Sequence, residues 1–563
     1  MSIMASPINM SLDGDWKFRR DPQDVGAHEN WERADLDDST WEAIKVPGDW
    51  GDGIDGVGWY RKKVSIPKEA IESDSLVLLF GSADDKAEVF LNGKSAVKNR
   101  SYSTPFHVDP RPFAAADGSL QITVRVVDGG GGGGLLGSVS IRSAESPEDL
   151  YKTALYDKKI PHTLADRGDI VLYSVYTRNF TPEGTFRALQ ARLPELKALG
   201  ANTLWLLPIH EIGVEKRKGP DGSPYAIKDY YSIDPNLGTK DDFKALVQAT
   251  HDQGMKIIID CVLNHTSPDS AWATEHPDWF ERDANGKPIP AVADWSDVVD
   301  LDWKNKTVWA EATKMMEYWV RDFDIDGYRC DVADMVPDGF WAQVRTKLDA
   351  IKPGIVMLAE SNNSNHQLNG FDIVYCDGIR DVMKDIVDGK ANANDMREEI
   401  YSEIYSNPKN ATRMLFVENH DKPRVVNFLK SQEQVKALAM LTATLPGVPL
   451  LYSGTEIGAS ADRDATFFTK TAVDWSHPDT KYREIWTTLL AIRNQEPALQ
   501  SGEIKILDVE PRDQVLVYER SLNGETATVA LNLSDKAVEI KPKQPNPAIP
   551  SSLPAWGGKV ILP

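Results

Sequence analysis

Cysteine is scarce in this 563-residue chain: Cys261, Cys330 and Cys376 are the only three, each in an apolar, strand-like stretch. Their spacing suits no metal centre, and buried free thiols are expected ahead of a disulfide. Long hydrophobic runs are also missing. No stretch approaches the ~20 apolar residues that cross a bilayer, so no membrane helix is expected. Met1–Met10 lacks the charged and apolar regions of a secretory leader. That favours a cytoplasmic location, or a secreted or periplasmic one if a leader was removed. Positive charge is in deficit, with 63 Lys and Arg against 85 Asp and Glu and a formal net charge of −22. Such a chain repels phosphate backbones and anionic lipid, which argues against nucleic acid and membrane partners and fits a neutral substrate. The glycine run Gly129–Gly134 lacks the lysine and hydroxyl residue of a phosphate loop and reads as flexible.

What is present is an ordinary globular composition, 41% hydrophobic and 26% charged, at a length that calls for three or four domains. Residues 1–142 read as an N-terminal β-sandwich: 122–126 alternate apolar and polar, and the strand at 89–91 runs into the turn Asn92-Gly93. Trp16, Trp31, Trp41, Trp50 and Trp59 crowd this region and either stack on sugar rings or fill a core. Residues 143–168 read as a linker. From 169 to 498, strand candidates at 170–176, 203–208, 257–262, 326–331, 355–360, 371–376, 414–417 and 448–452 alternate with helical patterns, the count of a (β/α)8 TIM barrel. Pro194 interrupts the first helix and kinks or restarts it. Residues 265–305 are too long for an ordinary connection and are expected to form a small subdomain inserted after the third strand. Residues 499–563 return to strand patterns and predict a C-terminal antiparallel β-sandwich.

Four segments end buried strands in polar tips: DCVLNH at Asp260–His265, GYRCDVAD at Gly327–Asp334, LAES at Leu358–Ser361 and FVENHD at Phe416–Asp421. Arg329 and Asp331 lie two apart on one strand and so face the same side, toward the barrel mouth. An adjacent arginine favours the ionised aspartate and lowers its pKa, as a carboxylate nucleophile requires. Glu360 ends the next strand. A carboxyl near another carboxylate in a poorly hydrated cleft is pushed toward protonation, which suits a general acid. Glycosidases use such a pair, with about 5–5.5 Å between the groups in retaining enzymes. By the same alternation Cys261 and Cys330 face outward into the packing around the barrel.

The order and spelling of the four segments resemble the α-amylase family of glycoside hydrolases across the whole barrel. The resemblance implies Asp331 as nucleophile, Glu360 as general acid/base and Asp421 as third acid. It implies His265 and His420 as sugar ligands partnered by Asp260 and Arg329, and Tyr225, in SPYAIKDYYSIDPNLGT, as a stacking surface. GVPLLYSGTE at Gly447–Glu456 resembles the family's late segment. No cofactor is implied for the chemistry. Asn264 and Asp300 match two ligands of a structural calcium site, with a plain hydrogen-bonded pair as the competing reading. Trp295 and Trp303 are either sugar platforms or core. Ser223-Pro224 stands where many relatives have His-Gly, and Asp334 and Met335 stand where many endo-acting amylases have Lys-His. That departure leaves room for short oligosaccharides, pullulan-like linkages or glucosyl transfer.

In the first domain LDGDWKFRRDP, WEAIKVPGDW, GVGWYRKKVSIP and AEVFLNGK resemble the N-terminal jelly-roll sugar-binding domain of β-galactosidase- and β-glucuronidase-type enzymes. The expectation is a retaining glycoside hydrolase, monomer or homodimer, cleaving α-glucosidic bonds, mainly α-1,4, in α-glucans or maltooligosaccharides. A glucanotransferase or trehalose-forming enzyme is the alternative, and a non-catalytic carbohydrate-binding relative a distant one.

Overall fold

The computed structural model describes residues 8–51, 56–73, 75–99, 104–129, 133–160, 167–290, 292 and 294–563, with only the backbone of Asp464. By its internal contacts the chain divides into two compact units, Met1–Lys158 with Glu398–Lys409, and Lys159–Arg397 with Asn410–Pro563.

Among its described residues the first unit holds two large antiparallel sheets and a two-stranded pair, Gly48–Asp49 with Gly134–Leu135. One has six strands in the order Glu42–Val46, Gly14–Arg20, Gly56–Ser65, Ser119–Asp128, Lys86–Leu91 and Lys94–Asn99. The other has four, Asn9–Ser11, Val139–Ser143, Leu76–Phe80 and Phe106–Val108. Period-two alternation puts Trp16, Phe18, Tyr60, Val89, Ile122 and Val124 of the large sheet against Leu78, Phe80, Val139 and Ile141 of the small one, in one shared core. The hairpin turns at Asn92 and Gly93, both with positive φ, as the Asn-Gly pair predicts. Trp16, Trp31, Trp41 and Trp59 are buried, and Trp50 packs on Phe18 and Tyr60. The tryptophans therefore fill cores and are not open stacking faces.

Gly130–Gly132 lie outside the described residues, but Gly133 is tightly packed: a Cβ there would stand 2.2 Å from the Trp50 ring. This end of the glycine run serves close approach, not looseness. The 143–168 segment includes a short helix, Pro147–Tyr151, closed by a capping box from Ser146 and Asp149; 161–166 lie outside the described residues.

The second unit is built on a closed parallel barrel of eight strands: Leu172–Val175, Thr203–Leu206, Lys256–Cys261, Gly327–Cys330, Val356–Ala359, Ile373–Tyr375, Thr412–Phe416 and Val448–Tyr452. All eight fall within or beside the stretches predicted from sequence. Helices follow where the 3.6 period and caps indicate. Lys240–Asp252 starts on a capping box from Thr239 and Asp242, and Lys306–Phe323 starts on Asn305; each cap contributes about 1 kcal/mol. Pro194 restarts a helix: Phe186–Gln190 ends, and Leu193–Leu199 begins with the proline in its first turn. Between the third and fourth strands, His265–Thr266 pairs with Val299–Asp300 to frame the insertion. After the barrel, Glu503–Leu507, Val515–Leu522, Glu525–Asn532 and Gly558–Ile561 form a four-stranded antiparallel sheet. No helix among the described residues is long and apolar enough to cross a membrane.

Alternation inside the barrel places the polar tips. Leu172, Trp205, Ile258, Val356, Leu358, Ile373, Tyr375, Met414, Phe416 and Leu450 fill the lumen. Two residues beyond Ile258 and Leu358 on the same inward face stand Asp260 and Glu360. Cys261 and Cys330, the residues alternate to Asp260 and Arg329, are register partners on neighbouring strands. They and Cys376 are buried free thiols. Burial and the adjacent Cys261 push the Cys330 thiol well up, which keeps it protonated.

Candidate active site

The site is organised by one guanidinium. Arg329, fully buried, donates from Nη1 to Asp260 Oδ1 and to Asp331 Oδ1, both at 2.7 Å, and its Nη2 lies 2.9 Å from Glu360 Oε1. Its Nε donates to the Tyr375 hydroxyl at 3.2 Å. Burial opposes the charge, but Asp260 and Glu360 outweigh it and hold Arg329 charged. Register explains the convergence: Asp260 sits opposite Arg329, and Arg329 opposite Leu358, whose inward successor is Glu360. Three strands thus deliver three carboxylates to one cation.

Burial, and then the neighbouring Glu360 charge, push Asp331 well above the usual carboxylate range, while Arg329 pulls the other way. The expectation that the adjacent Arg329 lowers the aspartate is not met, because burial and Glu360 outweigh it. The arginine is there, but desolvation wins in a nearly dry site. A single guanidinium touches both Asp331 and Glu360 and so sets the two carboxyls on one side of the site, as a nucleophile–acid pair requires.

Asp421 has the opposite character. Burial raises it, but His420 at 3.0 Å, Arg329 and Arg463 overcome that and hold it far below the carboxylate range. His420 Nε2 is also 2.7 Å from the Tyr225 hydroxyl, which donates to Asp260 Oδ2 at 3.2 Å. Tyr225, His420, Asp260 and Arg329 therefore form one continuous network. His265 is buried, lowered to about 4 by desolvation and so neutral at physiological pH, with the edge of Trp295 5.3 Å away. Trp303 is core: it donates to Leu263 O and packs on Phe340.

The barrel residues singled out from sequence for chemistry or sugar contact lie on strand ends or loops of the barrel's C-terminal side. Asp260, Arg329, Asp331, Glu360, Asp421, His420 and Tyr225 are joined directly by the contacts above. His265 ends the segment that Asp260 begins. Asn264 turns its amide nitrogen toward Asp300 Oδ1 at 3.3 Å, a hydrogen-bonded pair. That pair is the reading that competes with a calcium site at these two residues.

Several participants were not foreseen. Trp205 donates to Asp260 Oδ2 at 3.0 Å and Tyr375 holds Arg329; both occupy inward strand positions and could have been found by extending the alternation. Arg463 donates to Asp421 Oδ1 at 3.1 Å, and Phe467 stacks on Tyr225 with ring centroids 5.8 Å apart. Both come from a short helix region after the eighth strand, which carries no sequence signal. Glu418, inside FVENHD, is buried. It accepts from Arg424 at 2.8 Å and from Thr455 at 2.6 Å, anchoring the loop that presents His420 and Asp421.

An eight-stranded parallel barrel with an insertion after strand three and acids gathered round one arginine is the architecture of a known class. The alpha-amylase catalytic-domain family matches residues 110–288 and 292–483, beginning ahead of the first barrel strand. This chain belongs to the alpha-amylase family.

Among solved structures, the chain is similar to a noncanonic maltogenic alpha-amylase, AmyB from Thermotoga neapolitana. Identity is 33% and the TM-score 0.63, over 67% of this chain and 88% of that one. It is also similar to the alpha-amylase MalA of Haloarcula japonica, 29% identical over 66% of this chain and 56% of that protein. A cyclomaltodextrinase of Geobacillus thermopakistaniensis is 27% identical over 63% of each chain. The chain thus spans less than two thirds of the length of these two curated relatives.

Proposed function

We propose that this protein is a retaining glycoside hydrolase that cleaves α-glucosidic bonds, mainly α-1,4, in α-glucans or maltooligosaccharides. The observation that carries the reading is Arg329 bridging Asp331 and Glu360. Family membership and similarity to proteins named as maltogenic amylase and cyclomaltodextrinase support the substrate class.

In the first step a carboxylate oxygen of Asp331 attacks the anomeric carbon. The bond to the departing oxygen breaks as that oxygen takes the Glu360 proton, leaving a glycosyl ester on Asp331 and a carboxylate on Glu360. In the second step Glu360 removes a proton from water, the oxygen attacks the anomeric carbon, and the ester bond breaks. The sugar leaves with its original stereochemistry and both acids are restored. Asp421 and His420 hold sugar hydroxyls of the ring being attacked, and Tyr225 lies along its face. No step runs through a metal.

Asp331→Asn and Glu360→Gln test the assignment. Each is expected to lower turnover of maltotriose by at least about 10²–10⁴-fold, and near wild-type activity of either variant defeats it. A panel of maltotriose, cyclodextrin, pullulan and starch, with product identification with and without added acceptor sugar, fixes linkage and separates hydrolysis from transfer.

For the N-terminal sandwich we infer a jelly roll of the sugar-binding type found in β-galactosidase-like enzymes, on the wording of its four segments and its two-sheet architecture. Because its tryptophans are core, any sugar contact comes from other side chains. Affinity electrophoresis of Asp331→Asn in starch gels tests this. Retardation that persists with the barrel site saturated by maltotriose supports a second site; its loss removes it.

A further inference from the structure

The loop that follows Glu360, Ser361–Asn365, is polar and holds two serines and three asparagines, so apolar burial does not fix it. Its anchor is His366, which is 2% exposed, at the short helix Asn365–Leu368. His366 presents one ring nitrogen to each of two carboxylates, Asp334 in the loop after the fourth strand and Asp338 at the start of the helix Asp338–Ile351. Nε2 lies 2.8 Å from Asp334 Oδ1, and Nδ1 lies 3.3 Å from Asp338 Oδ1. Phe371 closes the ring's flank at 5.4 Å. Asp334 also accepts from Asn363 at 3.5 Å and from Ser361. One carboxylate thus gathers three donors of the segment running on from Glu360.

The same two loops meet again at Glu360 itself. The Val332 N–H donates to Glu360 Oε2 at 2.8 Å, and the Ala333 N–H to the Glu360 carbonyl at 3.2 Å. Val332 holds φ at 36°, in the left-handed region that a β-branched residue enters only under constraint. This strained residue directly follows Asp331 and is the one whose N–H meets Glu360. A strained donor of this kind stays in place only if the surrounding loop is tied down, and the contact between exposed Asp334 and buried His366 is such a tie.

We propose that Asp334 and His366 are a positioning pair, which locks the loop after strand five to the loop after strand four and so fixes the Glu360 carboxyl for proton transfer beside Asp331. The inference rests on the reading of Glu360 as acid/base.

The test uses two substrates of one sugar. Maltotriose needs its leaving oxygen protonated; 4-nitrophenyl α-maltoside departs as a stable phenolate and does not. His366→Leu is expected to lower kcat on maltotriose by roughly 10²-fold, the cost of an ångström-scale misplacement. On the aryl maltoside the loss in kcat/KM, which reports glycosylation and not the base-assisted second step, should stay within about threefold, because general-acid help is small there. His366→Gln, whose amide can still donate to Asp334, should recover most of the lost turnover. Asp334→Ala should repeat the His366→Leu pattern if the leucine variant fails to fold. Equal losses on both substrates, or no loss on either, overturn the proposal. Glu360→Gln serves as control: if it keeps maltotriose turnover, the acid/base reading itself fails, a result distinguishable from failure of the pair alone.

Discussion

Arg329 and Asp331 leave one strand two residues apart, and Nη1 of the first donates to Oδ1 of the second at 2.7 Å. The same nitrogen serves Asp260, and the other terminal nitrogen faces Glu360. Removing the cation strands the buried carboxylates of Asp260 and Asp331 without their counter-charge. Arg329→Met is expected to destabilise the protein by about 3–5 kcal/mol and to abolish turnover. Denaturant melts and maltotriose kinetics check this, and a fully stable variant would show that the cluster is held by other means.

Asp331 and Asp421 should give opposite pH signatures. The folded pKa of Asp331 is raised above its ordinary 3.8, so its contribution favours the fold at low pH and is lost as pH rises toward the folded value. Asp331→Asn removes that loss, so its stability relative to wild type should improve as pH rises above about 4. The folded pKa of Asp421 is depressed by His420, Arg329 and Arg463, so its contribution is present above about 4 and fades as pH falls below it. Asp421→Asn should therefore be destabilised at neutral pH, with the gap closing in acid. Thermal melts of both variants from pH 3 to pH 8 read the two slopes.

Gly327 opens the strand that carries Arg329 and Asp331. Its φ of +152°, and a Cβ that would fall 1.9 Å from the Val356 carbonyl oxygen, leave no room for a side chain. Gly327→Ala is expected to cost several kcal/mol, on the order of 3 or more, by spreading the ladder between the fourth and fifth strands. A melting temperature within two degrees of wild type would contradict this.

Chelation should leave turnover intact, because the proposed steps use only side chains and water. The Asn264–Asp300 pair is satisfied by its own hydrogen bond, so EDTA should shift the melting temperature by no more than about 1–2 °C. A large drop that calcium restores would show that these residues rearrange around an ion.

The barrel was legible because its strands repeat one simple pattern, apolar on both faces with a polar residue at the inward end. Asp260, Arg329, Asp331 and Glu360 could be placed by counting in twos from Ile258 and Leu358. Trp205 and Tyr375 obey the same count and were within reach. The protonation balance at Asp331 was not, because it depends on how dry the pocket becomes once eight strands close, which no local spacing records. Arg463 and Phe467 approach Asp421 and Tyr225 from a four-residue helix and its cap in the loop after the eighth strand, where no period marks a face. The core role of the tryptophans also depends on the pairing of two sheets, since an exposed and a buried tryptophan look alike in sequence.

The most direct test of the account is to trap the intermediate. In Glu360→Gln, α-maltosyl fluoride can still glycosylate the nucleophile, because fluoride leaves without a proton, while hydrolysis of the ester lacks its base. Intact-mass and peptide analysis is expected to find one maltosyl group, on the peptide bearing Asp331. A label on another residue, or release of β-maltose with no adduct, would contradict it.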